Sequence, residues 1–169
     1  MLKPILLALL FSLATIVHAE QYQSAQDFIE QTFEGAAPKP KSLWMDKTIK
    51  PSAKAILGHN PGFLRTRYWQ QDSKSAWILE EIGKTKPITI GIVIDNGKIV
   101  RVKVLAFRES RGWEIKHSFF TDQFNQTSLN TDLNLDQSID GIAGATLSVR
   151  ALTRIARLAL YFDRQIQKP

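Results

Sequence analysis

The chain has 169 residues, enough for one domain built around one core. Hydrophobic residues make up 44% and charged residues 22%, an ordinary globular composition that argues against disorder, and the formal net charge is +6. Cysteine is absent, which excludes disulfides, a lipid-modified cysteine, a cysteine-ligated iron–sulfur cluster and thioether-attached haem.

The first nineteen residues read as a targeting segment. Met1-Leu2-Lys3 gives a positive start, Ile5 to Val17 is apolar apart from Ser12 and Thr15, and Val17-His18-Ala19 suits a signal peptidase. The run is shorter than the roughly 20 apolar residues of a spanning helix. A signal peptide over 1–19 is expected, with cleavage near Ala19, a mature chain from Glu20 and a periplasmic location; a retained anchor is the other reading. Outside the cytoplasm a basic chain is not expected to meet nucleic acid. Anionic membrane surface (contact peripheral at most), acidic redox partners and phosphorylated cofactors fit the charge better, as does a solvated surface with no partner.

Residues 20–62 read as an N-terminal helical segment. Phe28, Ile29 and Phe33 form one helical stripe, with Ser24 as cap and Gly35 as stop. Ala36 to Ser42 reads as a Pro/Lys linker, and Leu43 to Gly58 as a second helix centred on Pro51–Leu57, followed by Asn60-Pro61-Gly62. The pattern then turns to strands. Phe63–Gln70 and Ser75–Ile82 flank a polar turn, and Pro87–Asp95 and Lys98–Phe107 flank Asn96-Gly97, a strong hairpin signal because both turn residues need positive φ. A short helix is expected at Ser118–Phe124 and a long one from about Thr146 to Gln167, its apolar stripe formed by Leu152, Ile155, Ala159, Phe162 and Ile166. The expected fold class is therefore α+β: an antiparallel sheet of about four strands, N-terminal helices, and a long C-terminal helix packed on the sheet. Arg150, Arg154, Arg157 and Arg164 form a second stripe on that helix, either a docking face for an acidic partner or anionic headgroups, or a solvated face. His59 and His117 lack metal-ligand spacing and read as ordinary histidines.

The segment with chemistry in it is Asp140-Gly141-Ile142-Ala143-Gly144-Ala145-Thr146-Leu147-Ser148. A turn of small residues delivers one hydroxyl to the start of a long helix, where free N–H groups and the positive dipole end favour a phosphate. Thr146 there could carry a nucleotide through a phosphoester. Equally, Thr146 or Ser148 could be a helix cap and the glycines only the turn.

Residues 140–148 resemble the flavinylation motif of the FMN-binding domain family, which includes the periplasmic flavin subunits of the sodium-pumping NADH:quinone reductase and of the Rnf complex. In that family an aspartate, a small residue, a Ser/Thr-Gly-Ala-Thr run and a trailing Ser/Thr mark the site. The threonine after Gly-Ala receives FMN from FAD through a flavin transferase. The resemblance makes Thr146 the covalent FMN acceptor, with Asp140, Gly144, Ala145 and Ser148 as the accompanying motif residues. It extends more weakly over roughly 85–167, through the hairpin pair, the Phe119–Phe124 segment and the last helix, and implies an FMN-binding α+β domain over 63–169. Ala143 departs from the pattern, standing where many members have Ser or Thr.

In the resembling proteins a glycine turn approaches the flavin; its counterpart is Glu109–Glu114, which offers Arg111, Trp113 and the amides near Gly112. A flavin ring needs an aromatic wall and hydrogen-bond donors; alternatively Trp113 packs in the core and Arg111 is solvated. Trp44, Trp69 and Trp77 read as core or rim residues. The implied function is a periplasmic electron carrier between a membrane-bound donor and an extracytoplasmic acceptor, served by a flavin transferase and more a carrier than an enzyme. A flavin-dependent reductase of a small acceptor and a non-redox basic binding module are the rival readings.

Overall fold

The computed structural model describes residues 20–168, so the signal-peptide expectation for 1–19 lies outside the described residues. Six strands form one antiparallel sheet: β1 (Glu20–Gln21), β2 (Lys41–Trp44), β3 (Arg65–Gln71), β4 (Lys74–Ile82), β5 (Pro87–Asp95) and β6 (Lys98–Phe107), in the order β1-β6-β5-β4-β3-β2. The four helices are α1 (Ala25–Thr32), α2 (Lys50–Leu57), α3 (Ser118–Thr121) and α4 (Thr146–Ile166), with single 3-10 turns at Trp113–Lys116 and Asp122–Phe124.

The α+β class and the long closing helix are as expected, but the sheet has six strands rather than four. Both extra strands come from the segment read as helical. Glu20–Gln21 pairs with Ala106–Phe107, and Lys41–Trp44 pairs with Arg65–Tyr68. Neither is long enough to show a period of its own; each is drawn into the sheet by a partner strand already formed. The linker therefore stops at β2, and the second helix starts only at Lys50, with Pro51 in its first turn and Gly58 left-handed at its end.

The hairpins follow local chemistry. Asn96 and Gly97 take φ of 50° and 73°, closing β5 onto β6 with Asp95 opposite Lys98. Ser24 caps α1, its Oγ accepting from the Asp27 N–H at 3.0 Å.

Two apolar layers result. On one face of the sheet, α4 buries Leu152, Ile155, Ala159 and Phe162 against β4 and β5, and α2 adds Ala53, Ile56 and Leu57. Each fully buried Leu, Ile or Phe contributes about 1.5–3 kcal/mol. A buried polar thread also fastens α4 to β4: the Trp77 indole N–H donates to Ser75 Oγ, and the Ser75 hydroxyl donates to Asp163 at 2.6 Å. Burial holds the Asp163 carboxyl above its usual range, against the Ser75 hydrogen bond. On the other face α1 packs Phe28, Ile29 and Phe33 on Ala76, Val93 and Leu105. Gly91 is required there, because a Cβ would stand 2.6 Å from the Phe28 ring.

Candidate functional site

α4 starts at Thr146, with Ala145 at the cap position, and no side chain caps it. The Ala145 N–H donates to the Ile142 carbonyl at 3.0 Å, and the first helical bond runs from the Val149 N–H to the Ala145 carbonyl. The N–H groups of Thr146, Leu147 and Ser148 are thereby left at an open helix start, which favours an anion. Thr146 and Leu147 are exposed, and Ser148 is buried. The capping alternative for Thr146 and Ser148 is not the geometry adopted: neither occupies the cap position, and neither side chain closes the helix.

The turn before the helix is built for close approach. Gly144 has φ of +81°, a left-handed backbone that glycine adopts without strain. Asp140 is exposed, and its backbone N–H donates to Gln123 Oε1 at 2.7 Å. The Gln137 amide in turn donates to the Gln123 carbonyl at 2.7 Å. Gln123 thus ties the motif loop to the short helical turns at 118–124.

The Glu109–Glu114 turn lies against this helix start. Gly112, at φ +89°, is so close that a Cβ on it would fall 2.5 Å from Ser148 Oγ and 3.5 Å from the Ala145 Cβ. Gly112 and the motif thus meet, although 32 residues separate Gly112 from Gly144 in the numbering. Arg111 is exposed at the lip of the turn. Trp113 is 45% exposed, not a core residue. Its ring meets His117 edge-on with centroids 5.4 Å apart, and His117 stacks on the exposed Phe119 at 6.0 Å. Trp113 and Phe119 are exposed, as is Leu147 at the helix start.

Glu109, which the sequence marked only as part of a turn, holds the neighbouring hairpin. Its carboxylate accepts backbone N–H bonds from Lys84, Thr85 and Lys86 at 2.6, 2.5 and 2.7 Å. Burial pushes this carboxyl up, but the three amides and the Thr85 hydroxyl together hold it below its ordinary value. A depressed carboxylate stabilises the fold fully above its unfolded-state value of about 4.3, and that contribution fades as pH falls through the folded-state value. Glu109→Gln is therefore expected to cost on the order of 2 kcal/mol at neutral pH. In denaturant titrations the gap to wild type should close below about pH 4; a gap independent of pH would show that charge is not what Glu109 contributes.

Three of the four arginines of the α4 stripe are engaged within the fold. The Arg157 guanidinium donates to the Leu133 carbonyl at 2.6 Å and Arg164 to the Leu129 carbonyl, strapping the irregular segment 126–139 to the helix. Arg154 lies 3.7 Å from the buried Glu81 carboxylate, which also takes the His59 imidazole at 2.9 Å. The Asn60 carbonyl and Glu81 raise the His59 imidazole above its ordinary value. Only Arg150 of the four is exposed without such a contact among the described residues.

The site thus joins a bare helix start to a small-residue turn leading into it, in an α+β domain. Residues 83–161, from the β4–β5 turn to most of α4, match the family model described as the FMN-binding domain. Comparison with curated proteins and with solved structures finds no match. The protein accordingly carries a flavin-binding domain, with FMN as its cofactor. The residues fit such a group: no side chain caps the helix start, the Gly112 cradle leaves no room for a side chain, and Thr146 is exposed.

Proposed function

We propose that the protein is an extracytoplasmic electron carrier holding FMN as a phosphoester on Thr146. The observation that carries this reading is the position of Thr146: first residue of an uncapped 21-residue helix, with its side chain exposed. The hydroxyl attacks the FMN phosphorus of FAD, the P–O bond to Thr146 forms, the pyrophosphate bond breaks, and AMP leaves with the proton. A flavin transferase supplies the site for that exchange. The N–H groups of Thr146, Leu147 and Ser148 would hold the phosphate, and the helix dipole would stabilise its charge. When bound, the flavin supplies one- and two-electron redox chemistry. Trp113, backed by His117 and Phe119, offers an aromatic wall, and Arg111 a cation at the same lip.

Segment 1–19 supports export, and a tethered cofactor suits a compartment without a flavin pool. The donor on this reading is a membrane-bound redox protein and the acceptor an extracytoplasmic one. The test is the intact mass of the protein expressed with its leader beside a flavin transferase. A gain of one FMN less one water is expected. An unmodified mass, with the transferase shown active on another substrate, would overturn the covalent reading.

A further inference from the structure

The two faces of the sheet are covered unequally. α4 and α2 lie over one face, whereas α1 rests on β4 and β5 and leaves the β2–β3 end of its own face open. Arg65, Arg67 and Trp69 alternate onto that open end, Trp44 joins them as the partner of Arg65, and Ile78 continues the surface on β4. Trp44 is 57% exposed, and Leu64, just before β3, is 77% exposed. The Arg65 guanidinium lies 5.3 Å from the centre of the Trp44 ring. A groove of about 390 Å³ runs here, lined by Phe63, Trp69 and Ile78 together with Arg65, Arg67 and Glu80, and the Glu80 carboxylate is turned toward Arg108 at 3.7 Å.

Positive charge stands among these apolar side chains. Arg65 and Arg67 bring two positive charges to this open end, whereas Lys50 and Lys54 belong to α2 on the other face of the sheet. Neither arginine forms an ion pair with an acidic side chain among the described residues.

We propose that this face docks the protein on an anionic lipid surface. Tryptophan favours the headgroup level, where an amphipathic ring meets both water and hydrocarbon. Each Lys or Arg near an anionic leaflet contributes roughly five-fold in affinity. A specific protein partner would require carboxylates fixed opposite forked guanidiniums. Here the Arg65 fork instead lies over an indole, and Leu64 and Trp44 stand free beside it, an arrangement suited to a surface without fixed partners. Thr146 begins a helix on the opposite face of the sheet, so docking leaves the cofactor site open to solvent-borne partners.

Sedimentation of the purified protein with phosphatidylcholine vesicles, and with vesicles also containing phosphatidylglycerol, tests this directly. Binding should require phosphatidylglycerol, weaken with salt and shift tryptophan emission to the blue. The double variant Arg65→Gln/Arg67→Gln should bind about thirty-fold more weakly. Trp44→Ala should remove most of the emission shift, and Lys98→Gln/Lys103→Gln, which removes equal charge from β6, should bind like wild type. Equal binding to both vesicle types, or equal loss in the β6 control, would overturn the proposal. Capture on polyglutamate without vesicle binding would overturn it in favour of an acidic protein partner. Because none of these readouts needs flavin, failure here and failure of the flavin reading are distinguishable.

Discussion

Thr146→Ala is expected to abolish the covalent flavin mass while leaving the fold intact. Two observations set this expectation apart from ordinary helix damage. The Thr146 side chain is exposed and caps nothing, and alanine is a good helix former at that position. The denaturation midpoint should therefore move by no more than about 0.5 kcal/mol equivalent. Thr146→Ser keeps a hydroxyl at the helix start and should keep modification at lower yield, since serine is less confined in χ1. Ser148→Ala should keep it too, because the Ser148 side chain is buried against Gly112 and does not face outward. Intact mass and flavin absorbance read all three variants. A flavin mass that persists in Thr146→Ala would move the acceptor elsewhere and remove the central residue of the reading.

The chain showed these features unevenly before its structure was known, for physical reasons. Local chemistry was readable wherever a residue acts within its own segment. Asn96-Gly97 set a hairpin with the register of β5 and β6, Ser24 capped α1, and the period of Leu152, Ile155, Ala159 and Phe162 marked the buried face of α4. The motif at 140–148 was readable because its small residues and its hydroxyl lie in one continuous run. What stayed hidden depends on distant partners. β1 and β2 have no period of their own and exist only as neighbours of β6 and β3. The Glu109 cradle needs three amides more than 20 residues away, and Gln123 reaches Asp140 across 17. The arginine stripe is neither a docking face nor a merely solvated one, because Leu129 and Leu133 offer carbonyls to it from a segment with no regular structure.

Gly112→Ala is expected to damage both stability and flavin attachment, by a route independent of the Thr146 hydroxyl. At φ +89° an alanine carries the left-handed penalty of about 1–2 kcal/mol. Its Cβ would also stand 2.5 Å from Ser148 Oγ, a separation that cannot persist, and 3.2 Å from Ser148 Cβ. Rotation of the Ser148 hydroxyl relieves the first contact but not the second, so either the turn or the first turn of α4 must shift. Overpacking of this kind adds about 1–3 kcal/mol, and the displaced helix start no longer presents its amides to a phosphate. Equilibrium denaturation and intact mass with an active transferase measure the two effects separately. Ser148→Ala combined with Gly112→Ala should recover the part due to the hydroxyl and retain the backbone penalty, so the double variant falls between wild type and the single one. A single variant as stable and as fully modified as wild type would mean that the turn and the helix start are not coupled. The contact between Gly112 and Ser148 would then be incidental to the site, and the Glu109–Glu114 turn would lose the contact that ties it to the start of α4.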